Sequence, residues 1–415
     1  MSGKKNIIIS SGFSNFQLIN TGKLLFKKKI LHKLILGAYP TKNEVFYLTK
    51  FFNRFVKIKK FINRDIKINL NYIIQNRFTE LINHFGLFIN KFLGQKKLSQ
   101  KIILFAMKFY SRNCYNFFKT KKIKNNIYHF RAGFGGKSIL EAKKFNNFVI
   151  CDHSIVHPIM LNHLINNKGK FPKKLPKKPT GVWRQILDDI NLSDLVIVNS
   201  HFVLKTFNYL KFPKKKIKVL YQGISKKFIR YLPKKRLFAD EKKIVNILFA
   251  GAIEKRKGLD EIQKTIKKLN NNFSLKFAGQ LTKKFRYKYK ELFLDKRVKY
   301  LGSLTQKELA EEMSNSDIFL FPSLAEGSAN VIFEAMASGC AIITTPNSGS
   351  IVKNNHNGFI INPGDTFQLK QKLNYLINNK KKIRLFGKNA QIDVKKNYTE
   401  QKYLEGLLKI YKNIV

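Results

Sequence analysis

What most restricts the fold of this chain is a repeated unit. A short run of β-branched and aromatic residues ends in a turn residue, and a helical stretch follows. In the second half the runs are IVNILFAG (244–251), FSLKFAG (273–279), RVKYLGS (297–303), SDIFLFPS (316–323), CAIITT (340–345) and GFIIN (358–362). Helical stretches such as TQKELAEEMSNS and NVIFEAMASG lie between several of them. Strands that are apolar throughout are buried on both faces, so the pattern predicts a parallel sheet covered by helices on each side. The first half repeats it in NNIYHF (125–130), FVICDHS (148–154), DLVIVNS (194–200) and KIKVLYQG (216–223), with NIIIS (6–10) as a possible opening strand. Residues 50–122 read as helical and aromatic, without a packing arrangement legible in them.

The fold class expected is therefore α/β, with two Rossmann-like domains facing a central cleft. The polar, proline-interrupted YLPKKRLFADEKK (231–243) marks the join. We divide the chain into residues 1–238, residues 239–395 and a C-terminal amphipathic helix over 396–415. In such sheets ligands bind beyond the carboxyl ends of the strands, so the cleft is the expected site.

Charge adds a second constraint. The 415 residues carry 80 Lys plus Arg against 25 acidic residues, a formal net charge of +55. Residues 1–238 hold 49 basic and 8 acidic side chains, whereas residues 239–415 hold 31 and 17. Lys, Asn, Ile and Phe are abundant together, so codon bias accounts for part of the total but should act on both halves alike. The asymmetry points to an anionic partner on the first half, whether nucleic acid, anionic lipid or phosphorylated small molecule. Three widely spaced cysteines, Cys114, Cys151 and Cys340, form neither a metal-ligand pattern nor a disulfide framework. No apolar run reaches the roughly 18 residues of a membrane span. A cytoplasmic protein, peripheral at the inner face of the membrane, is the expectation.

Three segments carry the chemistry. In SDIFLFPSLAEGSANVIFEAMASG (316–339), a strand and a tight loop precede a helix for which Ser328 is the candidate N-cap. Gly327 lets backbone approach a ligand, and the amides of Ser328, Ala329, Asn330 and Val331 are the unsatisfied donors of a first helical turn, suited to a diphosphate. Glu326 and Glu334, eight apart, would repel phosphate but accept hydrogen bonds from sugar hydroxyls. An ordinary strand–helix crossover with two exposed glutamates is the alternative. In LFAGAIEKRKGLDEI (248–262), Gly251, Arg256 and Lys257 form a second anion-binding layout, or two solvated cations. In FVICDHSIVHP (148–158), His153 follows a strand end. The turn FRAGFGGKS (130–138) either approaches the cleft or is tight packing.

EGSANVIFEAMASG, with its Glu-x7-Glu spacing, resembles the donor-site signature of the family 4 retaining glycosyltransferases, and SGSIVKNNHNGFIINPGDTFQL resembles the segment that follows it there. The resemblance implies the glycosyltransferase B architecture and metal-independent transfer from a nucleotide-diphosphate sugar, with no cofactor. The acceptor would be a glycan or lipid-linked molecule, as in cell-surface polysaccharide or glycolipid synthesis. It implies that Glu334 holds the ribose, Glu326 the donor sugar, and the amides after Gly327 the phosphates. His153 would face the sugar across the cleft, and Asn199 and Ser200 would lie near it. Where the family has Gly-Arg, this chain has Gly251–Ala252, so the missing cation's role passes to Arg256. Partners expected are the nucleotide sugar, its acceptor and an anionic membrane surface, with no specific nucleic acid. The readings in competition are a nucleotide-sugar epimerase, a basic nucleic-acid-binding protein and an inactive partner subunit.

Overall fold

The computed structural model describes residues 6–13, 17–52, 68–233, 244–269 and 272–414. The expected join at 238/239 falls outside them. The strands are β1 (Ile7–Ser10), β2 (Leu31–Leu36), β3 (Ile73–Gln75), β4 (Ile127–Arg131), β5 (Phe148–His153), β6 (Leu195–Val198) and β7 (Ile217–Val219). The second sheet has β8 (Val245–Ala250), β9 (Phe273–Ala278), β10 (Val298–Gly302), β11 (Ile318–Phe321), β12 (Ala341–Thr344) and β13 (Gly358–Ile360). All pairings are parallel, in the orders β3-β2-β1-β4-β5-β6-β7 and β10-β9-β8-β11-β12-β13. The two-domain α/β class read from the sequence is thus the observed one, and each apolar run named above contains a strand. β2 and β3 carry no such signal: LHKLIL places His32 and Lys33 in its middle, and IIQ is three residues long.

Both sheets reverse their strand order once, between β1 and β4 and between β8 and β11. At such a point the two following helices diverge to opposite faces and leave a crevice at the carboxyl ends. In the second domain the crevice lies between the loops 251–258 and 322–329, the two segments singled out for chemistry.

FRAGFGGKS proves to be packing. The amides of Gly133, Gly135 and Gly136 converge on the buried carboxylate of Asp189 at 2.7–2.9 Å. A Cβ on Gly133 would lie 2.4 Å from the Met107 methyl, and one on Gly135 2.5 Å from Phe130. Burial raises Asp189 to about 7 in spite of its three amide donors.

The helix Glu400–Lys412 returns to the first domain. Tyr403, Leu407 and Tyr411 join Ile7, Ile9, Ile127 and Ile197 in one apolar cluster. The tyrosine hydroxyls reach Thr21 Oγ1 (3.2 Å) and His129 Nδ1 (2.7 Å). Its apolar face is therefore occupied by the first domain's core. Just before it, Ile224 exchanges backbone hydrogen bonds with Tyr398 and Glu400, so the chain passes between domains along two adjacent straps. Ile224 and Phe228 pack into the second core, ahead of the sequence boundary at 238. All three cysteines are buried thiols outside any disulfide. No described helix is long and apolar enough to cross a membrane.

Because Leu407 is fully buried, Leu407→Ala should cost about 2–5 kcal/mol, read as a lower midpoint in denaturant. Burial also holds His129 near 3 and neutral. Its pKa is higher in the unfolded chain, so stability present above about 6.5 is lost as pH falls, by about 1.4 kcal/mol per unit at most. His129→Gln should flatten the fall in melting temperature between pH 7 and pH 5.

Candidate active site

The loops after β8 and β11 are joined closely. Gly258 has φ of 82°, and a Cβ there would lie 2.1 Å from the Pro322 carbonyl oxygen. The Arg256 carbonyl accepts from the Leu324 amide (2.8 Å), with the Ser323 hydroxyl 3.0 Å away. Across this seam the Arg256 guanidinium donates to the Ala325 carbonyl (3.0 Å) and to Glu326 Oε1 (2.6 Å), and Lys257 Nζ meets the same Oε1 at 2.6 Å. Ser323 Oγ lies 2.9 Å from that oxygen. Glu254 holds the other edge of the guanidinium at 2.8 Å.

Arg256, Lys257 and Glu326 thus form one buried cluster rather than separate solvated charges, which excludes the alternative of two solvated cations. Burial disfavours the Arg256 charge, but Glu326 and Glu254 outweigh it and raise the guanidinium pKa. For Lys257 burial wins, and its ammonium falls below the ordinary lysine value although Glu326 touches it. The ammonium also sits 4.9 Å from the Phe321 ring centroid, a cation–π contact that offsets part of the lost hydration. All three contacts of Glu326 fall on Oε1, leaving Oε2 as the oxygen for a further donor among the described residues.

The helix Asn330–Ala337 begins one residue later than expected. Its N-cap is Ala329, without a side-chain cap, and Ser328 Oγ is buried without a partner among the described residues. The reason lies in the 345–349 turn, whose Ser348 carbonyl takes the Ala329 amide at 3.1 Å and draws that residue out of the helix. Ala329 is thereby removed from the set of free donors. The amides of Ser328, Asn330 and Val331 have no acceptor among the described residues. Glu334, half-buried on the same helix, has no hydrogen-bonding partner among them either, and burial raises its carboxyl to about 7.

Gly327 also makes a contact that the sequence does not signal. A Cβ there would lie 1.9 Å from the Ser154 carbonyl oxygen and 2.9 Å from Asn199 Nδ2, so its bare backbone meets the first domain. The Gly327 carbonyl accepts from Ser200 Oγ, and Asn347 Nδ2 donates to the Gly169 carbonyl at 2.8 Å across the same seam. Asn199 and Ser200 are therefore brought to the cleft wall. A Cβ on Gly279 would lie 1.9 Å from the Gly251 carbonyl oxygen, so Gly279 fixes the approach of the loops after β8 and β9, while a Cβ on Gly251 would meet only the Phe321 ring at 3.5 Å.

His153 is not brought to the cluster. It is 2% exposed, with Nε2 3.3 Å from the Val156 carbonyl and its ring edge against Phe207. Burial, with His157 and Arg131 adding to it, lowers its pKa to about 3, so the imidazole is neutral. It shapes the Ser154–Val156 turn that Gly327 touches. Sequence reasoning missed Ser323, Glu254 and Asn347. Ser323 and Asn347 bond across the fold to Arg256 and Gly169, 67 and 178 positions away, whereas Glu254 pairs with Arg256 two residues along. Among the described residues no group of three His, Cys, Asp or Glu is placed to hold a metal.

Two nucleotide-type sheets, opposed across a seam with free helix amides and paired cations at one switch point, define the glycosyltransferase B class. Residues 230–393 match the family described as glycosyl transferases group 1. The chain is similar to that family over this span. It is 26% identical over 307 residues to an uncharacterized glycosyltransferase of Methanocaldococcus jannaschii, covering 71% of this chain and 83% of the relative. It is 27% identical over 185 residues to the N,N'-diacetylbacillosaminyl-diphospho-undecaprenol alpha-1,3-N-acetylgalactosaminyltransferase of Campylobacter jejuni, covering 43% and 48%. Among solved structures, Anabaena HepE in complex with UDP and glucose superposes with a TM-score of 0.63 at 14% identity, over 98% of this chain and all of that one.

Removing Arg256 should strand Glu326 with one cation. Arg256→Ala is expected to cost about 3 kcal/mol of stability, and adding Glu326→Gln should recover part of it. Equal, additive losses in a double-mutant cycle measured by chemical denaturation would show that the pair is not coupled.

Proposed function

We propose that the chain is a retaining, metal-independent transferase that moves a sugar from a nucleotide diphosphate to a hydroxyl of a glycan or lipid-linked acceptor. The observation that carries this reading is the juxtaposition of the Arg256–Lys257–Glu326 cluster with the free amides of Ser328, Asn330 and Val331. The amides would take the diphosphate, where the helix dipole favours negative charge. Glu326 Oε2 would accept from a hydroxyl of the donor sugar, and Glu334 from the ribose hydroxyls. The HepE complex lends support, since UDP and glucose are bound there on the same fold. The diphospho-undecaprenol in the name of the Campylobacter relative supports a lipid-linked acceptor.

In this reaction the bond from the sugar's anomeric carbon to the leaving diphosphate oxygen breaks. A new bond to the acceptor oxygen forms on the same face. The acceptor's proton passes to the departing diphosphate, which gathers charge as it leaves. Arg256 and Lys257 then turn from Glu326 Oε1 toward that charge, where stabilisation acts on the transition state more than on the ground state. His153 acts as a positioning residue through the turn at Ser154.

A thermal-shift panel of nucleotide sugars tests the reading: selective stabilisation by one of them, followed by transfer with retained anomeric configuration, is the expected result. Turnover that persists unchanged in chelator is expected as well. No stabilisation by any nucleotide sugar or free nucleotide diphosphate would remove the proposal. Arg256→Ala combined with Lys257→Ala should slow transfer by about 10²–10³. The carboxyl of Glu334 adds a pH signature. Hydroxyl donors favour its ionised form, so donor affinity should rise with pH through about 7, and Glu334→Gln should abolish that dependence in calorimetric titrations.

A further inference from the structure

The first domain carries a helical hairpin that the donor site does not use, formed by Arg77–Leu93 and Lys96–Lys121. Its first helix is apolar on the wrong side for a soluble protein. The residues turned inward are small or polar, Thr79, Glu80, Asn83 and Gly86, with Ile89. Those turned outward are Phe78, Leu81, Phe85, Phe88 and Phe92, between 50% and 65% exposed. Their spacing of three and four residues makes one continuous stripe along the helix. Phe105 on the second helix, 60% exposed, extends it through its stacking on Phe109. Isolated exposed apolar residues are ordinary, but a continuous stripe of large ones marks a contact surface.

Charge identifies the contact. Over residues 77–121 there are nine basic side chains and one acidic. The acidic one, Glu80, is 2% exposed and bonded to the Ala38 amide at 2.6 Å. Lys91, Lys96, Lys97 and Lys101 gather at the hairpin tip, where Lys91 lies 5.1 Å from the Phe92 ring centroid. A second copy docked tip to tip would set two such positive surfaces together. A nucleic acid would match the cations but leave the leucine and phenylalanine stripe without an apolar phase. An anionic bilayer surface supplies both, taking the rings at the acyl boundary and the ammonium groups among the headgroups.

Position agrees with this. The second helix is tied to the loops at the carboxyl ends of the first sheet: Tyr110 Oη accepts the Gly12 amide at 3.2 Å, and Met107 packs on Gly133. From Met107 back to Lys96 the helix rises about 16 Å past that edge at 1.5 Å per residue. The edge is the one that faces the cleft.

We propose that this hairpin inserts its aromatic stripe into the surface of an anionic lipid leaflet and so seats the mouth of the cleft on the membrane. The binding itself does not depend on the donor-site reading; delivery of a lipid-linked acceptor to the cleft does.

The test is co-sedimentation of the full chain with vesicles of phosphatidylcholine alone and with about 30% phosphatidylglycerol, at low and moderate salt. Binding should need the anionic lipid and weaken with salt. Replacing Phe85, Phe88 and Phe92 together by Ser should lower partitioning about tenfold or more. Lys96→Glu with Lys97→Glu should erase the preference for anionic lipid while leaving the apolar stripe intact, which guards against misfolding of the triple variant. Circular dichroism and stabilisation by nucleotide sugar should be unchanged in both. Vesicle binding that ignores the phenylalanines would overturn the proposal. So would a phenylalanine-dependent dimer in sedimentation velocity, or retention on nucleic acid in place of vesicles. Loss of nucleotide-sugar stabilisation in the wild type with lipid binding retained would defeat the donor reading alone.

Discussion

The second domain's site depends on a single carboxylate oxygen. Glu326 Oε1 collects Arg256, Lys257 and the Ser323 hydroxyl, drawing together two loops that leave the sheet on either side of its switch point. Such a cluster is expensive to bury and worse to break, because each partner removed leaves a charge without water or counter-charge. Its value is one of placement. With the loops welded here and at Gly258, the next residues along the chain are delivered to fixed positions: Gly327 against the first domain and Ser328 to Val331 at the head of a helix. The two cations are thereby held against the carboxylates of Glu326 and Glu254.

The seam between domains is built on the same economy of space. Gly327 and Gly349 approach backbone or side chains so closely that any Cβ would collide, Gly327 with Ser154 and Gly349 with Gly327 itself. Ser200 caps its own helix through the Val203 amide and reaches across to the Gly327 carbonyl. The turn ahead of the helix Asn330–Ala337 is thus the same one that touches the opposite domain. The straps pair with each other through the parallel bridge of Ile224 and Thr399.

Much of this was legible beforehand, and the exceptions share a cause. Long apolar runs such as IVNILFAG and SDIFLFPS announce buried parallel strands, since little else explains them. β3 escaped notice because it is a three-residue edge strand, and β2, between β1 and β3, because His32 and Lys33 interrupt its apolar run. Glu326, Arg256 and Lys257 were identifiable as candidates from their loops, but that they touch one another was not. The helix start was misplaced by one residue because a carbonyl from Ser348 decided it. His153 stood out from its place at a strand end, but that it is buried and bonded to the Val156 carbonyl was not legible.

What the sequence determined by itself was the periodicity: which segments bury both faces, where glycine permits close approach, and that the basic charge is concentrated in the first half. These follow from local chemistry, which a linear string records directly. Only the tertiary structure decided which charges neutralise one another, which amides stay free, and that the phenylalanines of residues 78–92 face outward. Those outcomes depend on partners distant in sequence, and on which side of a helix its neighbours happen to cover.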